Sequence, residues 1–124
     1  MTTDYYRESR IYSKRCTEVR NYVKFNPNVS NEQIANGLGL KIQTVTPRIK
    51  ELRENGVVWV TGRTKTSSKR PAWTYKLAAC PSCRSNSLGI KKMDQIRFSY
   101  HCNNCHRDFI ALVGDKKTQE VFLI

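Results

Sequence analysis

The chain has 124 residues, with 22 Lys or Arg against 10 Asp or Glu, which gives a formal net charge of +12. Such an excess of positive charge indicates a polyanionic partner, such as nucleic acid or an anionic membrane. The sequence contains no apolar run long enough to span a bilayer, and its first residues lack the apolar core of a secretory signal. We therefore expect a soluble cytoplasmic protein without a membrane partner, which is nucleoid-associated or, if phage-encoded, lies in the host cytoplasm.

Five cysteines divide the chain by composition, because four of them form two close pairs within residues 80–105. Most of the excess positive charge precedes these pairs. An odd cysteine count with close pairs favours thiolate metal ligands in a reducing compartment over disulfides. A unit smaller than about 50 residues usually needs such a metal to fold. The sequence thus predicts an α+β protein with two units, residues 1–78 and 79–124.

The first predicted helix carries an apolar stripe with spacings of four, three and four. Its members are Tyr12, Cys16, Val19 and Val23. The stripe makes Cys16 a buried structural thiol rather than a nucleophile or a fifth ligand. Asn26 and Pro27 are predicted to stop this helix.

The second predicted helix begins at Ser30, which is a good N-cap. Gln33 stands three residues later, as a capping box requires. We expect Gly37 and Gly39 to close this helix after about two turns and to permit a tight turn.

A third helix is predicted by an apolar stripe that ends at Asn55-Gly56. Its members are Ile42, Val45, Ile49 and Leu52. Proline is tolerated in the first turn of a helix but not in its interior without a kink. Because of Pro47, we expect the regular helix to begin around Thr44 or to bend there.

Residues 57–60 and 73–77 are apolar stretches that flank a polar, basic segment, and they predict a β-hairpin. Trp59, Trp73 and Tyr75 are predicted to be core residues that alternate along this hairpin, with base stacking as the alternative. Thr and Ser residues at its tip predict a flexible, polar loop.

The stretch VSNEQIANGLGLKIQTVTPRIKELRENGVVWVTGR resembles the winged helix-turn-helix domains of bacterial and phage regulators, and the resemblance extends over roughly residues 15–78. It implies that the third helix and the hairpin, or wing, contact double-stranded DNA. The matching positions are Lys41, Gln43, Thr44, Thr46, Arg48 and Lys50 on the helix, and Arg63, Lys65, Lys69 and Arg70 on the wing.

The chemistry of these side chains suits DNA, because Arg and Lys can pair with guanine or phosphate and Gln can bridge adenine. Residues 41–76 contain nine basic and only two acidic residues. We expect specificity chiefly from Gln43, Thr46 and Arg48, and affinity from phosphate contacts of the wing. The alternative is that these are solvated surface charges.

The spacing C-x2-C-x18-C-x2-C is typical of a zinc site, and its residues are Cys80, Cys83, Cys102 and Cys105. Residues 79–113 resemble a zinc ribbon. Four thiolates leave no open position for water, so we expect one structural Zn²⁺ that holds the fold and performs no catalysis. His101 and His106 adjoin ligand cysteines, but we expect them to be surface or supporting side chains.

The leading hypothesis is a DNA-binding transcriptional regulator whose ribbon adds DNA or protein contacts. The alternative is an adaptor of RNA polymerase or of a replication protein, since a winged helix followed by a zinc ribbon is similar in layout to archaeal transcription factor E proteins. An enzyme has least support, because the sequence contains no H-x-E beside the cysteines, no glycine-rich phosphate loop and no nucleophile elbow. Residues 121–124 either complete the ribbon sheet or pack against another copy, so a homodimer stays open.

Overall fold

The computed structural model describes residues 6–7, 13–94, 96–112 and 120–123. The helices are α1 (Lys14–Phe25), α2 (Asn31–Leu38) and α3 (Ile42–Glu54). The strands are β1 (Tyr6–Arg7), β2 (Val58–Lys65), β3 (Pro71–Leu77), β4 (Leu88–Lys92), β5 (Arg97–Cys102), β6 (Asp108–Leu112) and β7 (Glu120–Leu123). Three helices followed by antiparallel strands, with the paired cysteines in a small sheet, confirm the predicted α+β fold class.

Helix α1 begins after Ser13, whose hydroxyl accepts a hydrogen bond from the backbone N–H of Cys16 at 3.2 Å. Cys16, Val19 and Val23 are fully buried, as the apolar stripe predicts. Tyr12, the fourth member of that stripe, lies outside the described residues. Asn26 is the C-cap, which confirms the predicted end of the helix.

Helix α2 has the predicted capping box. The backbone N–H of Gln33 donates to the Ser30 hydroxyl at 3.3 Å, and the backbone N–H of Ser30 donates to Gln33 Oε1 at 2.9 Å. Gly39 closes the helix in the left-handed conformation, with φ of 67°. The prediction that Gly37 also closes it is wrong. Gly37 lies inside α2, where a Cβ would collide with the phenol ring of Tyr22 on α1, so its role is close packing.

Helix α3 begins at Ile42, slightly before Thr44, around which the sequence predicted that the regular helix would begin or bend. Pro47 lies inside the helix and cannot donate to the carbonyl of Gln43, four residues earlier. The first turn is hydrogen-bonded in other ways: Thr44 N–H donates to Lys41 O at 2.9 Å, and the Thr46 hydroxyl donates to Ile42 O at 3.0 Å. These bonds let the helix start ahead of the proline.

The core side of α3 consists of Val45, Ile49 and Leu52, which are at most 2% exposed. Ile42 was predicted to share that side, but it is 41% exposed at the start of the helix. The other residues of α3 are exposed or half-buried, and the helix packs against α1 and α2.

Strands β2 and β3 form the predicted hairpin, here termed the wing, with residues 66–70 as the wing tip. The pairing runs from Val58↔Leu77 to Lys65↔Pro71, with an irregularity between Val60 and Gly62. Gly62 therefore lies in a strand and not in the tip. Tyr75 N–H donates to Val29 O at 2.9 Å, which joins the segment between α1 and α2 to the wing.

The remaining five strands form an antiparallel sheet, here termed the ribbon, in the order β1-β4-β5-β6-β7. At one edge Tyr6 pairs with Ile90, so the first strand belongs to this sheet although residues 1–78 were predicted to form the other unit. At the other edge β7 pairs with β6, with Phe109 opposite Leu123. The chain's last strand thus completes the ribbon sheet, which was one of the two predicted arrangements. The unit boundary at residue 78 stays a prediction.

The ribbon packs on the end of α3 and on the base of the wing. Trp59 Nε1–H donates to the hydroxyl oxygen of Tyr100 at 2.9 Å, and the Tyr100 hydroxyl donates to Gly56 O at 2.7 Å. A Cβ at Gly56 would lie 2.7 Å from Phe98 Cδ2, and its φ is 75°. Only glycine meets both requirements. Buried side chains therefore continue from the helices into the ribbon as one cluster.

Among the described residues, no helix is both long and apolar enough to cross a lipid bilayer.

Candidate nucleic-acid interface and metal centre

The four paired cysteines meet at one end of the ribbon. All four sulfur atoms lie within 4.8 Å of one another. The Cys80 and Cys105 sulfurs are 3.5 Å apart, and the Cys83 and Cys102 sulfurs are 3.4 Å apart. A tetrahedral zinc with four sulfur ligands at about 2.3 Å places its sulfurs roughly 3.8 Å apart. The cluster therefore has the donor type, number and spacing that a four-thiolate metal site requires.

Two equivalent turns bring the pairs together. In each turn the carbonyl of the first cysteine accepts from the N–H four residues later, Arg84 N–H to Cys80 O at 2.8 Å and His106 N–H to Cys102 O at 2.9 Å. Arg84 and His106 both adopt the left-handed conformation, with φ of 62° and 61°. The two cysteine pairs therefore lie in turns of the same backbone conformation, although the other residues of the turns differ.

Backbone N–H groups point at one of the sulfurs, as expected for thiolate ligands. Asn104 N–H and Cys105 N–H each lie 3.4 Å from Cys102 Sγ. Hydrogen bonds of this kind spread the negative charge of a bound thiolate and hold the ligand in place.

The pKa values of two of the thiols, Cys83 and Cys105, are shifted in opposite directions. Hydrogen bonds from the Asn104 side chain and the Ser85 backbone lower the pKa of Cys83 to about 6. At Cys105 the backbone N–H of Arg107 lowers the pKa, but burial and hydrogen bonds with the other three cysteines raise it to about 12. Four thiolates cannot be charged side by side without a cation, so a bound metal ion would supply the compensating charge.

The two histidines near the cysteines have other contacts. His101 Nδ1 lies 2.7 Å from Asp108 Oδ1, across the β5 and β6 pairing. His106 occupies the left-handed turn position of the second pair. The candidate metal group among the described residues consists of the four cysteines without either histidine.

The exposed side of α3 carries part of the predicted DNA contacts. Lys41, Gln43, Thr46 and Lys50 are exposed, and Pro47 lies exposed among them. Thr46 also touches α2, because Asn31 Nδ2 lies 3.5 Å from its hydroxyl. These side chains form one surface at the beginning of the helix, which is where a recognition helix meets base edges.

Thr44 and Arg48 are less accessible than the rest of the predicted set. Both are half-buried, and the Arg48 Nε is buried without a hydrogen-bond partner among the described residues. The guanidinium lies near the buried thiol of Cys16, whose Sγ is 3.8 Å from Glu51 Oε2. Arg48 therefore lies along the side of α3 that faces α1, and its predicted role in base recognition stays a prediction.

The thiol of Cys16 is fully buried in the helical core, as predicted. Burial, with a further contribution from the Glu51 charge, raises its pKa to about 11. The thiol is therefore neutral at physiological pH.

On the wing, the four predicted cations differ in their surroundings. The Arg63 guanidinium lies 4.5 Å from the ring centre of Trp73, its cross-strand partner. Trp73 is half-buried and packs against the core cluster, whereas Trp59 and Tyr75 are buried as predicted. The outer side of the Trp73 ring thus lies beneath the Arg63 guanidinium, as in a cation–π contact.

Lys65, Lys69 and Arg70 are exposed around the wing tip, which is a hydrogen-bonded turn. Thr66 N–H donates to Arg70 O at 2.8 Å, and Lys69 N–H donates to Thr66 O at 2.9 Å. The tip also contacts α2, since Ser67 donates two hydrogen bonds to the carboxylate of Glu32. The sequence pattern contained no signal for this contact.

Three helices, a strand residue before α2 and a two-stranded wing after α3 together define a winged helix-turn-helix unit. Residues 21–58 match the family model described as winged helix-turn-helix DNA-binding. The match begins within α1, contains α2 and α3, and ends at the first residue of β2. No curated protein matches the sequence at a significant level. The family match therefore supports DNA binding by the helical part, and it ends before the first clustered cysteine.

Proposed function

We propose that the chain is a transcriptional regulator that binds double-stranded DNA with α3 and the wing, while a structural zinc ion in the four-cysteine cluster holds the ribbon. The observation that carries the proposal is the family match over residues 21–58, which includes the helix whose exposed side bears the predicted contacts. No step of this function requires catalysis.

Helix α3 would contact base edges in the major groove. Gln43 is exposed near its start and has the paired donor and acceptor that recognise adenine. Thr46 can contact a thymine methyl or the backbone, and Lys41 and Lys50 suit phosphates or guanine. Exposure favours Gln43 over the half-buried Arg48 as the principal reader of sequence.

The wing would supply phosphate contacts. Lys65, Lys69 and Arg70 surround its tip, and Arg63 is held over the Trp73 ring. Cations of this kind contribute affinity on any sequence, because phosphates are the same at every base pair.

Zinc fits the cluster better than a hard cation does, because all four ligands are thiolates. Cys80, Cys83, Cys102 and Cys105 would hold the ion in a closed tetrahedron, and the ion would stabilise the ribbon without a position for substrate. Metal analysis of protein purified under reducing conditions without chelator should give one zinc per chain.

Selection of bound sequences from a random duplex pool tests the regulator. We expect the pool to yield one enriched motif. Gln43→Ala should weaken binding to that motif by about 1 to 3 kcal/mol, through a lost contact at one base position. Replacing Lys65, Lys69 and Arg70 with Gln should instead weaken all duplexes and lower the salt slope by about one unit for each lost phosphate contact. The matched control replaces three ribbon cations, Lys91, Lys92 and Arg107, with Gln. A pool without enrichment, or an equal effect of the wing and ribbon variants, would contradict this arrangement.

A second candidate is an adaptor that binds a polymerase or replication protein through the ribbon. One observation favours it: Met93 and Ile96, in the connection between β4 and β5, are 48% and 52% exposed. Apolar side chains at an exposed turn suit a protein contact. Replacing both with Ser should leave DNA binding unchanged and abolish copurification of such a complex if the adaptor function exists.

A further inference from the structure

One residue of the wing tip binds both oxygens of a carboxylate. Ser67 donates its backbone N–H to Glu32 Oε1 at 2.9 Å and its hydroxyl to Glu32 Oε2 at 3.0 Å. Glu32 lies in the first turn of α2, 35 residues earlier in the chain. A pair of donors on one residue can thus hold a pair of anionic oxygens at the wing tip.

The turn around Ser67 fixes these donors in place. Thr66 Oγ1 lies 3.0 Å from the Ser68 hydroxyl and accepts from Arg70 N–H at 3.2 Å. Lys69 adopts the left-handed conformation, with φ of 63°, within the same turn. An ordered turn that offers an N–H group and a hydroxyl beside lysine and arginine is suited to a phosphate group.

We propose that the Ser67 N–H and hydroxyl bind a phosphate of the DNA backbone, and that Glu32 occupies this phosphate site in the free protein. The inference rests on the proposed function, in which the wing lies on duplex DNA. A carboxylate and a phosphodiester each present two oxygens that share one negative charge. Both need the same two donors, so each excludes the other.

Glu32 is also close to the surface that α3 presents. Its neighbour Asn31 lies 3.5 Å from the Thr46 hydroxyl through Nδ2. A phosphate that approached the closed tip would be repelled by the Glu32 carboxylate, so the tip exchanges Glu32 for phosphate when DNA binds. The apparent affinity is therefore the affinity of the open tip multiplied by the fraction of free chains in which the tip is open.

The test compares Glu32→Ala and Glu32→Gln with the unmodified chain on a random duplex. If about nine-tenths of free chains have a closed tip, Glu32→Ala should tighten binding about tenfold. Glu32→Gln should tighten it less, because the amide oxygen still accepts one hydrogen bond. The capping box of α2 uses Ser30 and Gln33, so both variants should fold.

Glu54→Gln is the charge-matched control, because Glu54 ends α3 and its removal changes the net charge equally. It should tighten binding less than Glu32→Gln. In a background with Lys65, Lys69 and Arg70 replaced by Gln, Glu32→Ala should tighten binding less, because the Ser67 donors remain but the cations that attract phosphate to the tip are gone. Amide hydrogen exchange at Ser67 should speed up in free Glu32→Ala and slow again when duplex is added.

The outcomes separate this inference from the function on which it rests. If the unmodified chain binds no duplex, both are wrong. If it binds and Glu32→Ala leaves affinity unchanged or lowers it, or Glu54→Gln gives an equal gain, the phosphate-competition inference alone is overturned. A lowered affinity would mean that Glu32 positions the wing for DNA.

Discussion

The winged-helix unit and the ribbon hold their shapes by different means. In the winged-helix unit, aliphatic side chains from three helices pack against the base of the wing. In the ribbon, Tyr100 and Phe109 stack with ring centres 4.9 Å apart, and the four cysteines converge at one end. The ribbon thus has an aromatic stack and a candidate metal site in place of a large aliphatic core.

The ribbon core also depends on the other unit. Trp59, from the wing, lies edge-on to Tyr100 and Phe109 at ring-centre distances of 5.7 and 6.4 Å. The two regions therefore share an aromatic cluster at their contact. Substitutions at the candidate metal site, at the contact between the regions and at a helix cap should show whether one region can lose stability without the other.

Removing the metal should have the largest effect. Binding of a structural zinc contributes on the order of 10 kcal/mol to the folding of small zinc domains, so chelation or Cys102→Ser should unfold the ribbon. The helices should persist, because the buried side chains that α1, α2 and α3 contribute include none of the four paired cysteines. Hydrogen exchange should show lost protection at residues 88–112 and retained protection in α1 to α3.

Cys16→Ala is the matched control, because it removes a buried cysteine that lies outside the cluster. This variant should retain the metal. Loss of helical protection on chelation would instead mean that the two regions unfold as one unit.

Tyr100→Phe should have an intermediate effect, because it removes one hydroxyl that serves two buried partners. Trp59 Nε1–H and Gly56 O would both lose their hydrogen bond, and each unsatisfied buried group costs about 1 to 3 kcal/mol. Urea denaturation should show the loss while the metal content stays at one per chain. Tyr22→Phe, which removes the hydroxyl of a half-buried tyrosine on α1, should cost less. If both substitutions lower the free energy of unfolding equally, the Tyr100 hydroxyl contributes no more than the hydroxyl of a half-buried tyrosine away from the contact between the regions.

Ser30→Ala should have the smallest effect and act on the helices alone. It removes the N-cap oxygen of α2 and should cost about 1 kcal/mol, whereas Ser30→Asp keeps a capping oxygen and should cost less. Urea denaturation followed by helical circular dichroism gives the comparison. A change in metal affinity for Ser30→Ala would argue against separate stabilisation of the ribbon.

Local patterns predicted most of the elements. The apolar stripes predicted the three helices, because burial follows helical periodicity, and the cysteine spacing predicted a cluster that the fold brings together. The left-handed position after each cysteine pair was not predicted, because Arg84 and His106 occupy it and neither is glycine, the residue that usually marks a positive φ.

The failures concern contacts between distant segments. Position 37 requires glycine because the Tyr22 ring of another helix leaves no space for a Cβ. The Glu32 carboxylate accepts a hydrogen bond from Ser67, 35 residues later in the chain. These contacts do not follow the periodicity of a helix or a strand, so patterns among neighbouring residues cannot predict them. The start of α3 at Ile42 instead of Thr44 is accompanied by hydrogen bonds of its first turn, which helix propensity does not contain.

The positions of the two tryptophans give the protein two separate optical probes. Trp59 is 3% exposed and bonded to Tyr100, so its emission should be blue-shifted and should respond when the ribbon opens. Trp73 lies half-exposed beneath the Arg63 guanidinium, so its emission should respond when a ligand draws that cation away. Because the sequence contains only two tryptophans, Trp73→Phe would leave a fluorescence signal from the contact with the ribbon, and Trp59→Phe one from the wing.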